Sequence, residues 1–212
     1  MDETANTMVD ERIGPYLPAP WELWGQMWMG LFRLRAGSMP VPAGARPLLG
    51  PRWLVLVFVR YLDGVLRYDE LAFGTPIVYQ KRQGMWVDRI WVDSEQSLWG
   101  GRRLWGVPKE MAHFDWRGDT VGVADDDGPI VTLSLNRKPA RLPKIGFSAP
   151  GLGQIDGQWV ASRGRFRSRL GWAGLRIEAW PDRFPYRPAA RPLVSLAAKP
   201  FHLHLPAAEP IT

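Results

Sequence analysis

Of the 27 basic residues, 22 are Arg and only five are Lys, at 81, 109, 138, 144 and 199. Each lysine is therefore read individually. One of them closes the segment Gly101-Arg102-Arg103-Leu104-Trp105-Gly106-Val107-Pro108-Lys109-Glu110. Flanked by Trp105, Val107 and Met111 and fixed by Pro108, Lys109 can be withdrawn from water, which disfavours its ammonium and leaves a nucleophilic amine. A Pro-Lys pair by itself equally describes a surface lysine after a turn. The other chemically capable residues are less organised. His113, His202 and His204 lack the spacing of a helical metal motif, and with no Cys to complete a site no metal is expected. The run Asp125-Asp126-Asp127-Gly128 lacks the spaced oxygens and distal Glu of a calcium loop and reads as a solvated turn. Arg163, Arg165, Arg167 and Arg169 alternate, so on a strand they share one face. They can contact phosphate or nucleic acid, with Phe166 and Trp159 beside them, or guard a strand edge against pairing. With no nucleic-acid module motif nearby, edge protection is the reading taken, and no nucleic-acid partner is expected.

Gly101, Arg102, Leu104, Pro108 and Lys109 spell Gly-Arg-x-Leu-x-x-x-Pro-Lys, and Gly64-Val65-Leu66-Arg67-Tyr68-Asp69-Glu70 places a Glu shortly after a Tyr. In these two segments, in register over roughly residues 64 to 116, the sequence resembles the acetoacetate decarboxylase family. The resemblance implies a Schiff-base lysine at Lys109 and an active-site carboxylate at Glu70, with no cofactor. It implies that Arg102 supports the site or attracts substrate, and it makes Arg33 a candidate for the substrate-side Arg of the first strand. The namesake enzyme is the standing example of a lysine activated beside another cation. Here Glu110 stands where the resemblance implies a second lysine, and a further family Glu would fall near Val55. If the segment is extended, Glu110 faces away from Lys109.

The activity implied is decarboxylation of a small β-keto acid through an iminium on Lys109. The alternatives are a Schiff-base aldolase or dehydratase acting on oxo acids, and a non-catalytic barrel that binds a small ligand. The absence of a P-loop and of a dinucleotide glycine fingerprint argues against nucleotide-dependent chemistry.

The elements that must position these residues are mostly strands. Twelve Trp, 22 Gly and 20 Pro in 212 residues disfavour a helical bundle. Residues 1–20 read as an extended arm, 21–206 as one domain and 207–212 as a tail. Strands are expected at Trp21–Leu34, Arg52–Leu62, Val65–Gln80 and Met85–Val92, with turns at Asp63-Gly64 and Gln83-Gly84. A helix is expected from Ser94 to Leu104, opened by Asp93-Ser94. Beyond it come strands at Met111–Trp116, Thr120–Ala124, Ile130–Leu135, Gly153–Val160, Phe166–Trp180 and Phe201–Leu205. This pattern, with the resemblance, predicts a mainly β protein, an antiparallel barrel or cone with a few short helices. Trp24, Trp28 and Phe32 alternate with Leu23, Met27 and Leu31, so both faces of the first strand are apolar; one fills the barrel and the other predicts a homo-oligomer.

The net charge is +6. The acidic, polar start does not resemble an export signal, and the longest apolar run, Trp53–Val59, is too short to span a membrane. With no Cys, a cytoplasmic location is expected.

Overall fold

The computed structural model describes residues 8–10, 13–136 and 143–212, so Lys138 lies outside the described residues. Its elements run β1 (Met8–Asp10), β2 (Ile13–Tyr16), β3 (Trp21–Ala36), β4 (Ala45–Pro47), β5 (Trp53–Gly64), β6 (Tyr68–Tyr79), β7 (Arg82–Val92), α1 (Glu95–Trp105), β8 (Lys109–Met111) and β9 (His113–Arg117). There follow β10 (Thr120–Asp125), β11 (Gly128–Asn136), β12 (Lys144–Ile155), β13 (Gln158–Trp172), β14 (Gly174–Ala179), β15 (Arg187–Pro188), β16 (Val194–Leu205) and β17 (Glu209–Pro210). Seven strands close a barrel in the order β6-β5-β3-β16-β13-β12-β7, with β7 returning to β6. Its pairings are antiparallel except where β12 meets β7, Gly151 opposite Met85 and Leu152 opposite Trp86. The expected mainly β barrel is therefore observed. A second sheet, β14-β11-β10-β9, lies against it.

Side-chain alternation divides the core in two. Trp28 and Phe32 of β3, Leu54, Leu56 and Phe58 of β5, and Leu71 and Phe73 of β6 pack against the apolar side of the second sheet. The opposite faces of the same strands carry Leu23, Met27, Val59, Tyr61 and Tyr68, which gather with Leu98 and Trp105 of α1 and with Phe201 and Leu203 of β16 inside the barrel. This corrects the reason for expecting an oligomer. The second apolar face of β3 is covered by the chain itself, leaving Trp28 and Phe32 1% and 0% exposed. Trp24 alone of the three aromatics stays substantially open, at 41%.

Several local readings differ from what is observed, among them Met111–Trp116, which is broken at Ala112 between β8 and β9. The turn between β6 and β7 falls at Gln80-Lys81, with Gln80 at φ 51°, and Gln83-Gly84 lies within β7. Gly84 serves another purpose: a Cβ there would stand 2.9 Å from Leu152 Cγ and 3.2 Å from the Pro150 carbonyl, so its bareness lets β12 close the barrel. Gly153–Val160 is broken by the Asp156-Gly157 turn between β12 and β13, and Phe166–Trp180 is broken at Ala173 as the chain passes between sheets. The Arg163–Arg169 stripe is not at an edge. β13 is paired with β12 on one side and with β16 and β17 on the other, so it has no free edge to guard.

At the termini, Leu17 and Ala19 pack onto the interior cluster, and β17, within the expected tail, pairs with β13.

Candidate active site

The helix behind the site is set locally. Ser94 caps α1, its hydroxyl accepting from the Ser97 N–H at 3.3 Å, and Glu95 adds negative charge to the first turn. Gly106 ends the helix at φ 62°, a left-handed conformation glycine adopts freely. The chain then enters β8, whose Lys109 lies opposite Ile90 of β7. Two rows away on the same interior side, Glu70 of β6 lies between Val59 and Val92.

These placements bring Lys109 and Glu70 into contact. Lys109 is 4% exposed. Its Nζ donates to Glu70 Oε2 at 2.7 Å and to Ser97 Oγ at 2.8 Å, and sits 5.1 Å from the centre of the Tyr68 ring. The second oxygen of Glu70 accepts from the Tyr61 hydroxyl at 3.3 Å. Tyr61 and Tyr68 lie ring to ring at 4.4 Å, so the Tyr68 phenol packs against the same group. Amine, carboxylate, the Tyr61 phenol and the Ser97 hydroxyl thus form one buried, hydrogen-bonded network. Burial foremost, and then the Glu70 charge, push both phenols well above their ordinary range, so both remain protonated. Chemically, a carboxylate bonded to a buried ammonium can take its proton, and the amine left behind is a nucleophile.

The adjacent carboxylate does something different because strand neighbours face opposite ways. Asp69 points outward, accepting from Trp116 Nε1 of the second sheet at 2.6 Å and from Arg60 Nε at 3.1 Å. Burial raises its pKa against those two donors. It fastens the two sheets together beside Glu70.

The motif residues acquire physical reasons. A Cβ on Gly101 would stand 2.4 Å from Lys109 Cδ and 2.6 Å from its Cε, so only glycine leaves room for the lysine chain to cross the helix. Arg102 Nε donates to the Lys109 backbone carbonyl at 2.8 Å, holding the strand that carries the amine rather than entering the site. Glu110 faces outward as its alternation requires, half-exposed, with Arg89 3.8 Å away. Val55 lies on the interior side of β5, four residues from Val59. Arg33 is not brought to the site. It lies six residues along β3 from Met27, exposed, over the ring of Trp53 at 5.5 Å.

Ser97, Tyr61 and Tyr68 were missed as functional residues by sequence reasoning. For Ser97 a signal existed, since it precedes Gly101 by one helical repeat of four and so shares the face that Lys109 crosses. Elsewhere, His202 and His204 share Glu22 rather than a metal, and no group of metal-binding side chains is found among the described residues. Asp125 ends β10 at the expected turn, where Arg183 grips both its oxygens and pulls its pKa down.

Comparison with known proteins bears on the family and the fold. The chain is 27% identical over 128 residues to the acetoacetate decarboxylase of Ralstonia nicotianae, a match spanning 53% of this chain and 52% of that protein. The crystal structure of acetoacetate decarboxylase from Legionella pneumophila superposes with a TM-score of 0.71 at 16% identity, covering 99% of this chain and 94% of that one. The enduracididine biosynthesis enzyme MppR, complexed with the condensation product of pyruvate and imidazole 4-carboxaldehyde, superposes with a TM-score of 0.59 at 17% identity, covering 91% and 89%. No helix is long and apolar enough to cross a membrane among the described residues. Residues 41–148 match the acetoacetate decarboxylase (ADC) family itself, and they include Glu70, Ser97 and Lys109, so the chain belongs to that family.

Proposed function

We propose that the chain is a Schiff-base carbon–carbon lyase that decarboxylates a β-keto acid on Lys109. The carrying observation is the buried Lys109 Nζ bonded to Glu70 Oε2 at 2.7 Å. Glu70 takes a proton from the ammonium, and the amine adds to the ketone carbon. The carbinolamine loses its hydroxyl as water, with the proton returned by Glu70, and an iminium remains. The bond to the carboxylate then breaks, its electron pair moves to the nitrogen, and carbon dioxide leaves an enamine. A proton returned to the enamine carbon, followed by addition of water, releases the ketone and restores the amine. Ser97 and Tyr61 hold the amine and the carboxylate in line, Arg102 fixes the strand beneath them, and the substrate is a small keto acid.

A second reading replaces loss of carbon dioxide by aldol condensation or dehydration of an oxo acid, which use the same iminium and enamine. It is favoured by Glu110, which stands where the decarboxylase has a second cation, and by the condensation product held in the MppR neighbour. The test is incubation with acetoacetate, or with pyruvate and an aldehyde, followed by borohydride and product analysis. The reading predicts a reduced adduct on Lys109 with carbon dioxide and acetone from acetoacetate. An adduct without carbon dioxide, accompanied by a condensed product from pyruvate, selects the aldolase. Absence of any adduct across β-keto and α-oxo acids leaves the ligand-binding barrel.

Gly101→Ala is expected to separate chemistry from folding. Alanine improves helix propensity by about 1 kcal/mol over glycine, offsetting part of the crowding against the flexible Lys109 chain. Thermal unfolding should therefore change little. Displacing the amine by about an ångström should slow adduct formation by about a hundredfold. An unchanged trapping rate would show that the close packing of Lys109 on Gly101 is immaterial.

A further inference from the structure

The part of the barrel wall built from β12, β13 and β16 carries the arginine stripe outward. Arg163, Arg165, Arg167 and Arg169 are all exposed, and none of the four forms an ion pair among the described residues. Among the described residues, eight arginines elsewhere have a carboxylate within 3.8 Å. The contrast is not explained by edge protection, because β13 is paired on both sides.

The surroundings extend the stripe into a surface. Gly146, Arg167, His202 and Trp24 form one cross-strand row, and Ser148, Arg165, His204 and Glu22 form the next. The two rows border a groove of about 460 Å³. Glu22, the one acid on these rows, is occupied by His202 Nε2 and His204 Nδ1, each at 2.5 Å. Trp24 stacks on His202 with ring centres 4.6 Å apart, yet keeps 41% of its surface open. Lys144 faces Arg169 at one end of the stripe, and Lys81 and Arg82 share a second groove with Arg163 at the other.

We propose that this face binds single-stranded nucleic acid, the arginines holding phosphates and Trp24 offering a stacking surface. Alternate strand residues recur about every 6.7 Å, so the four guanidinium groups form a row about 20 Å long and one side chain wide, suited to a single backbone. Guanidinium forks match phosphate oxygens, and an aromatic beside a basic groove is how unpaired bases are held without sequence preference. An acidic peptide is less well served, since β13 has no free edge to which it could add a strand. The proposal is independent of the Lys109 chemistry.

The test is fluorescence anisotropy of the whole chain with a labelled oligothymidine of about 12 nucleotides. Four phosphate contacts predict a slope of log affinity on log salt near −3, so affinity should fall about 50-fold between about 50 and 200 mM salt. The double variant Arg165→Ala/Arg167→Ala should bind more weakly and halve that slope, reducing the fall to about sevenfold. Arg67→Ala/Arg117→Ala, which removes exposed arginines elsewhere that already have carboxylate partners, should change neither. All these side chains are exposed, and circular dichroism melts check that each variant folds. The proposal is overturned by absence of binding at about 50 mM salt, or by a double variant that keeps both affinity and slope. It is equally overturned if polyglutamate displaces the oligonucleotide at equal charge, which gives the face to an acidic protein. Light scattering showing self-association that the double variant abolishes gives it to a second copy and likewise overturns the proposal.

Discussion

Lys109→Arg is expected to remove borohydride-dependent labelling and turnover together, while the protein remains folded. Arginine keeps a cation opposite Glu70, so the carboxylate is not left buried alone, a loss that typically costs about 3–5 kcal/mol. What it removes is the nucleophile, because the guanidinium holds its proton at any working pH and forms no imine under these conditions. Intact-mass and peptide-level mass spectrometry should find the adduct on Lys109 of the parent protein and none on the variant. Labelling of Lys81 or Lys144 to the same extent, or an adduct that survives the substitution, would sink the assignment. A circular dichroism melt separates loss of chemistry from loss of fold.

Glu70→Gln is expected to give a different pattern, with some adduct still forming on Lys109, though more slowly, and turnover reduced by about 10²–10⁴-fold, the usual worth of a positioned proton-transfer group. Glutamine preserves the shape of the side chain and can still accept from Lys109 Nζ, but it cannot take up a proton. It also removes the charge opposite the buried Lys109 amine, and breaking a buried pair by removing one partner typically costs about 3–5 kcal/mol. Denaturant unfolding should therefore show a less stable variant. Parent-like turnover in the variant would remove Glu70 from the mechanism, and unchanged stability would show that the pair contributes through shape rather than charge.

Much of the site is encoded by near neighbours in the chain. Ser94 and Gly106 fix the two ends of α1, because a hydroxyl satisfies free N–H groups at one end and a left-handed glycine stops the helix at the other. Alternation alone sends Lys109 inward and Glu110 outward once residues 109–111 are extended. Gly101 and Pro108 around Lys109, with Glu70 in register, were enough to identify the family and the two side chains that meet inside the barrel. The mainly β class was legible from strands separated by turn residues, and the family resemblance made it a barrel.

What the tertiary structure decided are the encounters between residues distant in sequence. Ser97 and Tyr61 became part of the site only when α1 and β5 met Lys109 and Glu70, and Arg33 was left out because six residues of extended strand carry it away. Gly84 resembles a turn residue locally, but its role comes from Leu152 of the closing strand. The apolar outer face of β3 read as a subunit interface because hydrophobic burial has no direction, and an alternating pattern states that a face must be covered without stating by what. The chain's own second sheet covers it, through residues about 90 to 150 positions away. For the same reason the arginine stripe could not be told from a guarded edge, since whether β13 is paired on both sides depends on where β12, β16 and β17 return.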